Sequence, residues 1–123
     1  MSRRHRLSRS RDFDAVYRHG RSVSTRYLVL YTFARPRDSN GDDGPRLGLA
    51  VAKKVGGAVE RNRLKRRLRE IFSALAAEVE PGRDYVLIAR PGLVEAAETQ
   101  RPAWLAERVR EVLELAPNES VSA

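Results

Sequence analysis

The sequence predicts a single-domain α+β fold, an α/β sandwich in which helices pack on a mixed central sheet. Segments with strand-like alternation and segments with helical spacing follow one another in the order α-β-β-α-β-α, which is typical of a sheet covered by helices. A chain of 123 residues is long enough for one hydrophobic core but not for two. It contains no cysteine, so packing rather than disulfides must stabilise it, which fits a reducing compartment.

The first predicted element is a short amphipathic helix. Ser8 or Ser10 can cap its start, and Gly20 stops it after about His19. Its apolar residues are spaced i, i+3, i+4 and give one narrow stripe: Phe13, Val16 and Tyr17.

Two strands are predicted next. The run Arg26–Arg35 is rich in β-branched and aromatic residues, and alternation places four of them on one face: Tyr27, Val29, Tyr31 and Phe33. The polar stretch Pro36–Pro45 contains Asn-Gly and Asp-Gly, so Arg46–Lys53 is predicted to pair back on the first strand. Whether Ser22–Thr25 forms another short strand is left open.

The second half of the chain predicts two helices around a buried strand. Gly56-Gly57 ends the preceding strand, and Ala58–Val79 shows the longest helical pattern. Asp84–Arg90 has the continuous apolar character of a buried strand, and a last helix begins near Pro102. The long helix carries an apolar stripe that must pack on the sheet: Leu64, Leu68, Ile71, Phe72, Leu75 and Val79.

The net charge of +8 is unevenly distributed along the chain. Residues 1–69 hold 19 Lys and Arg against 6 Asp and Glu, whereas residues 70–123 hold 5 against 10. Arginine supplies 21 of the 24 basic residues, and its planar guanidinium suits phosphate oxygens and can stack on bases. One part of the molecule is therefore predicted to bind a polyanion, and nucleic acid is favoured.

The most informative segment is Lys53–Glu70, where a lysine pair and a Gly-Gly turn precede a densely basic helix. Helical spacing places a polar row opposite the apolar stripe: Asn62, Arg66 and Arg69. A solvated face balanced by glutamates is the structural alternative, but only Glu60 and Glu70 flank the basic run. Because like charges on neighbouring turns repel one another, we expect an external polyanion to neutralise the helix.

A second group of residues combines aromatic rings with arginines. The rings are those of Phe13, Tyr17, Tyr27 and Tyr31, with Arg11, Arg18 and Arg26 close in sequence. Rings that stack on bases, beside cations that hold the backbone, are typical of a site for single-stranded nucleic acid. Core packing is the alternative, for Phe13 above all, whereas tyrosine hydroxyls favour a partly wet position.

Membrane and enzymatic functions find little support. No stretch approaches the roughly 20 consecutive apolar residues of a membrane span, and no apolar region follows the basic residues at the start, so we expect a cytoplasmic protein. Neither of the two histidines has an acidic neighbour in sequence, and there is no cysteine nucleophile. We therefore predict no catalytic residues within the protein and assign no metal ligands.

The basic helix and the strand before it closely resemble the signature of the bacterial ribonuclease P protein subunit. The segment is Gly48–Glu70, GLAVAKKVGGAVERNRLKRRLRE, and the hallmark that opens the helix is Arg61-Asn62-Arg63. Three further stretches resemble the same family in the same order: RDFDAVYRHG, RYLVLYTF and DYVLIARPG. The resemblance extends from about Leu7 to Leu115.

This resemblance implies an α-β-β-β-α-β-α fold of the ribosomal protein S5 domain 2-like type. Its basic helix would lie in a left-handed crossover, against the usual right-handed rule. Residues 8–115 are then expected to form the domain, between a mobile basic tail at 1–7 and a flexible tail at 116–123. The acidic run Asp38–Asp43 is expected to point away from RNA.

The resemblance also implies a protein subunit without a catalytic centre of its own. In this family a catalytic RNA removes the 5′ leader of precursor tRNA with Mg²⁺ that is bound mainly by the RNA. One protein binds each catalytic RNA and the single-stranded leader, which raises substrate affinity and lowers the magnesium requirement, with no membrane and no small-molecule cofactor involved.

Residue by residue, two groups in this chain match the family's motifs. The group implied to bind the RNA subunit is Arg61, Asn62, Arg63, Lys65, Arg66 and Arg69. The group implied to bind the leader is Phe13, Tyr17, Tyr31, Lys53 and Lys54. The chain departs from the family where Ala52 replaces a frequent serine, Gly57 a frequent polar or basic residue, and Tyr17 a common phenylalanine.

Two other functions would also explain the charge. A ribosomal or DNA-binding protein could place the basic helix in a major groove, although the single-strand aromatics argue against this. A stand-alone metal-dependent nuclease is the third possibility, and it would cleave RNA with magnesium and no RNA partner.

Overall fold

The computed structural model describes residues 10–34, 45–78 and 82–115. The predicted tails at 1–7 and 116–123, the acidic run Asp38–Asp43 and most of Pro36–Pro45 lie outside them. The elements are α1 (Ser10–His19), β1 (Arg21–Ser24), β2 (Leu28–Ala34), β3 (Arg46–Ala50), α2 (Ala58–Leu75), β4 (Arg83–Ala89), α3 (Leu93–Thr99) and α4 (Ala103–Leu115), with 3₁₀-helices at Lys53–Val55 and Ala76–Glu78. In the part of the chain so described, no helix is both long and apolar enough to span a membrane.

The strands form one mixed sheet in the order β1-β2-β4-β3. β1 and β4 both run antiparallel to β2, whereas β3 runs parallel to β4. The α+β fold class with a mixed sheet is thus confirmed. The prediction that Arg46–Lys53 pairs back on the first strand is wrong, because β4 occupies the position beside β2. All but one residue of β4 is buried, and a strand that is apolar on both faces is most stable in the centre of a sheet.

Helices cover the two faces of the sheet unequally. Among the helices of the described residues, α1 alone packs on one face, across β2 and β4, where Val16 and Val86 are fully buried. The other three helices cover the opposite face and enclose the larger core, which includes Leu28, Leu68 and Leu105. Each fully buried side chain of this size contributes about 1.5–3 kcal/mol, so this larger cluster supplies most of the stability.

The long basic helix forms as predicted, with a shorter α-helical part. Four residues of its apolar stripe are buried: Leu64, Leu68, Phe72 and Leu75. The α-helix ends at Leu75 and continues as a 3₁₀-helix to Glu78, and Val79, the last predicted residue, lies outside the described residues. The Arg61 amide donates to the Gly57 carbonyl at 2.9 Å, which begins the helix directly after the Gly-Gly turn.

Two elements go beyond the prediction from residue patterns. β1 pairs with β2 over Arg21–Ser24, which settles the open question about Ser22–Thr25 and gives the three consecutive strands that the family resemblance implied. α3 was not predicted at all. It follows Gly92, whose φ of 97° is in the left-handed region that glycine adopts without strain.

The prediction that Tyr27 shares a strand face with Tyr31 is wrong. Tyr27 lies in the bend before β2, and its ring packs edge-on against Trp104 of α4 with the centroids 5.0 Å apart. Strand alternation does not extend to a residue outside the strand, so Tyr27 joins the larger core on the opposite face from Tyr31.

The first paired position of β3 and β4 is a partly buried ion pair. Arg46 lies opposite Asp84 in the register, and its Nε and Nη2 donate to the two carboxylate oxygens, each at 2.8 Å. The Asp84 side chain is only 3% exposed and that of Arg46 28%. Bidentate, charge-assisted pairs of this kind are directional as well as strong, so the pair holds the parallel strands in one register.

α1 reaches the sheet through a glycine that leaves no room for a side chain. The Gly20 amide donates to the Val16 carbonyl at 2.8 Å and closes the helix. A Cβ on Gly20 would collide with that carbonyl oxygen and lie 2.6 Å from the Thr32 oxygen. Both atoms belong to the backbone and cannot move aside by a change of rotamer.

We therefore expect Gly20→Ala to lower the free energy of unfolding by about 1–3 kcal/mol, the usual cost of overpacking. Urea denaturation followed by circular dichroism measures it. Gly56→Ala is the matched control, since its nearest neighbour would be Val94 Cγ2 at 3.4 Å, an ordinary contact. An equal loss in both variants would contradict the assignment of Gly20 as a close-approach position.

Candidate nucleic-acid interface

The outer face of α2 presents a row of polar and cationic side chains. Asn62, Arg63 and Arg66 are exposed, and four more basic residues are half-buried: Arg61, Lys65, Arg67 and Arg69. The buried stripe of the same helix faces the larger core. The helix therefore packs with one side and offers cations with the other, as its spacing predicted.

Arg61 is used within the protein as well as offered at its surface. Its Nε donates to the Gly56 carbonyl at 3.1 Å, so its side chain turns back over the residues that precede the helix. This bond ties the Gly-Gly turn to the first turn of α2. A guanidinium has five N–H donors, so the half-buried Arg61 can serve both the turn and a ligand.

Arg63 faces α3. Its Nη1 lies 3.6 Å from Oε1 of Glu98, and the two side chains are 59% and 48% exposed. Arg67, one turn further along α2, lines the same shallow cleft between the two helices. An acidic side chain thus lies within the surface that the family resemblance assigns to RNA.

The carboxylate of Glu60, in the first turn of α2, lies beside Gly57, the residue that precedes the helix. Glu60 folds back so that its Oε1 is 2.5 Å from where a Cβ on Gly57 would be. A carboxylate in the first helical turn is favoured by the helix dipole. A side chain at position 57 would therefore have to displace Glu60 from this position.

Three aromatic rings meet where α1 crosses β2. The centroids of Phe13 and Tyr17 are 6.3 Å apart, and those of Tyr17 and Tyr31 are 5.1 Å apart with the rings edge to face. Tyr17 is 41% exposed, whereas Phe13 and Tyr31 are half-buried. Tyr17 therefore presents ring surface to solvent while its two neighbours hold its orientation, and an exposed, fixed ring is suited to stacking on a base.

Partial burial, and secondarily the neighbouring Tyr31, raise the pKa of Tyr17 above its ordinary value. The phenol therefore stays protonated at neutral and moderately alkaline pH. It can donate a hydrogen bond there, and it adds no negative charge that would repel a phosphate.

The face of the sheet that carries the aromatic rings continues as a strip across β4 to β3, towards the lysine pair. Paired positions in neighbouring strands point to the same face, and the register places Tyr31 beside Val86 and Val86 beside Gly48. The next row ends in Ala50, so β3 adds little side-chain bulk to this face. α1 packs over β2 and β4, where Val86 is fully buried and Gly48 is also buried, whereas the next row, Val29, Ile88 and Ala50, is half-buried.

Lys53 and Lys54 are exposed on the 3₁₀-helix that follows β3. Two strand spacings, roughly 10 Å, separate β3 from β2, so the structure places the lysines beyond the strip and not against the rings. Phe13, Tyr17 and Tyr31 form one contact cluster, and the lysine pair lies between this strip and the start of α2.

The described residues do not offer a metal-binding cluster. Nowhere in 10–34, 45–78 or 82–115 do three His, Asp or Glu side chains come together closely enough to hold an ion.

Comparison with known proteins decides the family. The family model described as Ribonuclease P matches residues 1–114. The chain belongs to the ribonuclease P protein family. The ribonuclease P protein component of Listeria monocytogenes is 34% identical over 122 residues, 98% of this chain and 99% of that protein. The component of Geobacillus kaustophilus is 41% identical over 95 residues, 77% and 75% of the two chains.

Solved structures agree with this assignment. The RNase P protein from Thermotoga maritima has 33% sequence identity and a TM-score of 0.79, with 92% of this chain and 98% of that chain covered. The RNase P protein of Staphylococcus aureus gives a TM-score of 0.77 at 31% identity. Membership of the ribonuclease P family makes this chain an RNA-binding, tRNA-processing protein and a component of an endoribonuclease.

Sequence reasoning missed two residues of this ribonuclease P protein's basic surface. Arg67 lies in the basic run of α2 but is not among the residues assigned to the RNA subunit, yet it shares a cleft with Arg63. Glu98 was not singled out, because its helix was not predicted. Arg67 could have been found from its i, i+4 spacing to Arg63, which places both side chains on one face of the helix. No local pattern in the sequence marks Glu98.

Proposed function

We propose that this chain is the RNA-binding subunit of a cytoplasmic ribonuclease P whose catalytic centre lies in the RNA. One protein binds one catalytic RNA through the outer face of α2, and the leader of precursor tRNA through the aromatic cluster on α1 and β2. The observation that carries the proposal is the division of α2 into a buried apolar stripe and an exposed row with Asn62 and Arg66.

The charge of α2 supports a backbone-binding role. Cations on successive turns of α2 repel one another in the free protein. A bound polyanion relieves this repulsion, because the protein's cations take the place of the counterions condensed on its phosphates. Arginine dominates the row, and a guanidinium donates two parallel hydrogen bonds to phosphate oxygens. The RNA-subunit group is therefore Arg61, Asn62, Arg63, Lys65, Arg66 and Arg69.

The aromatic cluster supports binding of a single strand. Every base has a face that can stack on a ring, so an exposed and fixed Tyr17 can accept leaders of different sequence. The half-buried row Val29, Ile88 and Ala50 gives the strand a path, and Lys53 and Lys54 can hold its phosphates at the far end. A base in a duplex does not offer its face, and this favours a leader over double-stranded DNA.

Fixed protein charge can also replace part of the counterion charge that the RNA needs. Cations that are already positioned on a folded surface neutralise phosphates without a separate binding equilibrium. We propose that the magnesium requirement of the RNA is lowered in this way, with the ion held mainly by RNA.

Arg66→Ala is expected to weaken binding to a bacterial ribonuclease P RNA about tenfold, because a charge-assisted hydrogen bond is worth about 1.5 kcal/mol or more. Its side chain is exposed, so the fold should be unchanged. Filter binding at fixed ionic strength measures the affinity. Arg101→Ala is the control, since it removes the same charge from an exposed residue paired with Glu107.

Equal weakening by Arg66→Ala and Arg101→Ala would contradict the assignment of α2 as the RNA-binding face. So would a loss of helical circular dichroism in Arg66→Ala that accounts for the loss of binding.

Tyr17→Ala should weaken the complex with leader-bearing precursor tRNA about 5- to 150-fold, the range that corresponds to one stacked base, and leave affinity for mature tRNA nearly unchanged. The measurement compares both tRNAs on the holoenzyme. Tyr17→Phe keeps the ring and should retain most of the leader preference. If both tRNAs lose affinity equally in Tyr17→Ala, the residue only packs against Phe13 and Tyr31.

A further inference from the structure

We propose that Glu98 of α3 is a built-in competitor of RNA, whose carboxylate holds Arg63 in the free protein and limits the affinity of α2 for an RNA phosphate. The proposal rests on the proposed function, in that α2 binds RNA. It adds the α2–α3 cleft to the RNA-binding surface and assigns a residue that sets its affinity.

The cleft is lined by two arginines, Arg63 and Arg67, and by two carboxylates, Glu60 in the first turn of α2 and Glu98 of α3. Arg63 and Arg67 lie one turn apart on α2, and Leu64 lies between them. Val94, Ala97 and Glu98 of α3 form the facing wall. The carboxylate of Glu98, 3.6 Å from Arg63 Nη1, is therefore where a phosphate oxygen bound by Arg63 would be expected.

α3 is held in this position by packing rather than by the ion pair. Val94 is buried, and its Cγ2 lies against Gly56 in the turn before α2. Leu93 and Ala97 are also buried. The backbone that carries Glu98 is thus fixed beside the first turns of α2, whether or not Arg63 is paired.

The pair itself is weak enough to be replaced. Both side chains are about half exposed, and exposed pairs at this distance are screened by water and salt. A phosphodiester can accept hydrogen bonds from the Arg63 guanidinium instead. The Glu98 carboxylate then remains close to the phosphate, and the two negative charges repel each other. Removing the charge of Glu98 should therefore strengthen RNA binding, both by releasing Arg63 and by removing the repulsion.

The test compares Glu98→Gln with Glu95→Gln, which removes the same charge from an exposed position on the same helix. We expect Glu98→Gln to tighten binding of a bacterial ribonuclease P RNA about two- to fivefold at fixed ionic strength. Glu95→Gln should give a smaller gain, since it does not line the cleft. Equal affinities of the two variants, or weaker binding by Glu98→Gln, would overturn the proposal.

A double-mutant cycle with Arg63→Ala separates competition from a general charge effect. Once Arg63 is absent, Glu98→Gln should gain no more than Glu95→Gln does. A gain that persists in full would overturn the proposal. Arg66→Ala, measured in the same series, tests the underlying function independently, because its side chain does not line the cleft. If it leaves affinity unchanged, α2 is not the RNA-binding face, whatever the cycle shows.

Discussion

The parallel pairing of β3 with β4 is the constraint on which the arrangement of the molecule depends. The Arg46–Asp84 ion pair occupies the first position of that register, and a buried carboxylate left without its partner would be costly. Since the two strands are parallel, their ends lie at the same edge of the sheet. The residues that follow β3 and those that follow β4 are therefore brought together, which places the start of α2 beside α3.

This topology distributes the two functional surfaces over the molecule. The aromatic cluster lies on the face that α1 covers, and α2 belongs to the opposite face. The exposed Lys53 and Lys54 lie in the connection between β3 and α2, at the edge where one face passes into the other. An RNA bound along α2 and a leader bound beside α1 would both pass near these lysines, which suits one protein that holds an RNA and its substrate together.

Much of the fold could be predicted from the sequence because it depends on local patterns. The helical spacing of Leu64, Leu68 and Phe72 defines α2, and the same spacing identifies the outward face with Arg66. The partner of β3 could not be predicted in this way. An Asn-Gly or Asp-Gly loop favours a hairpin between β2 and β3. The central position of β4 follows from its burial on both faces, and nothing in β2, β3 or their connection indicates that a later strand lies between them.

The candidate site was predicted in part, and the reasons differ from residue to residue. Tyr17 and Tyr31 were brought together by helix and strand periodicities that can be read directly. Tyr27 was misplaced because it lies in a bend, where alternation does not apply. Glu98 was missed because α3 has only seven residues, too few for a periodic signal, and its contact with Arg63 joins positions that only the folded topology brings close.

The measurement that tests the account most directly is cleavage of a precursor tRNA by a bacterial ribonuclease P RNA at low magnesium, with and without this protein. If the protein is the RNA-binding subunit, cleavage at the mature 5′ end depends on both the RNA and the protein, and the protein alone cleaves nothing. Cleavage by the protein without RNA, or no stimulation by a protein shown to be folded, would contradict it.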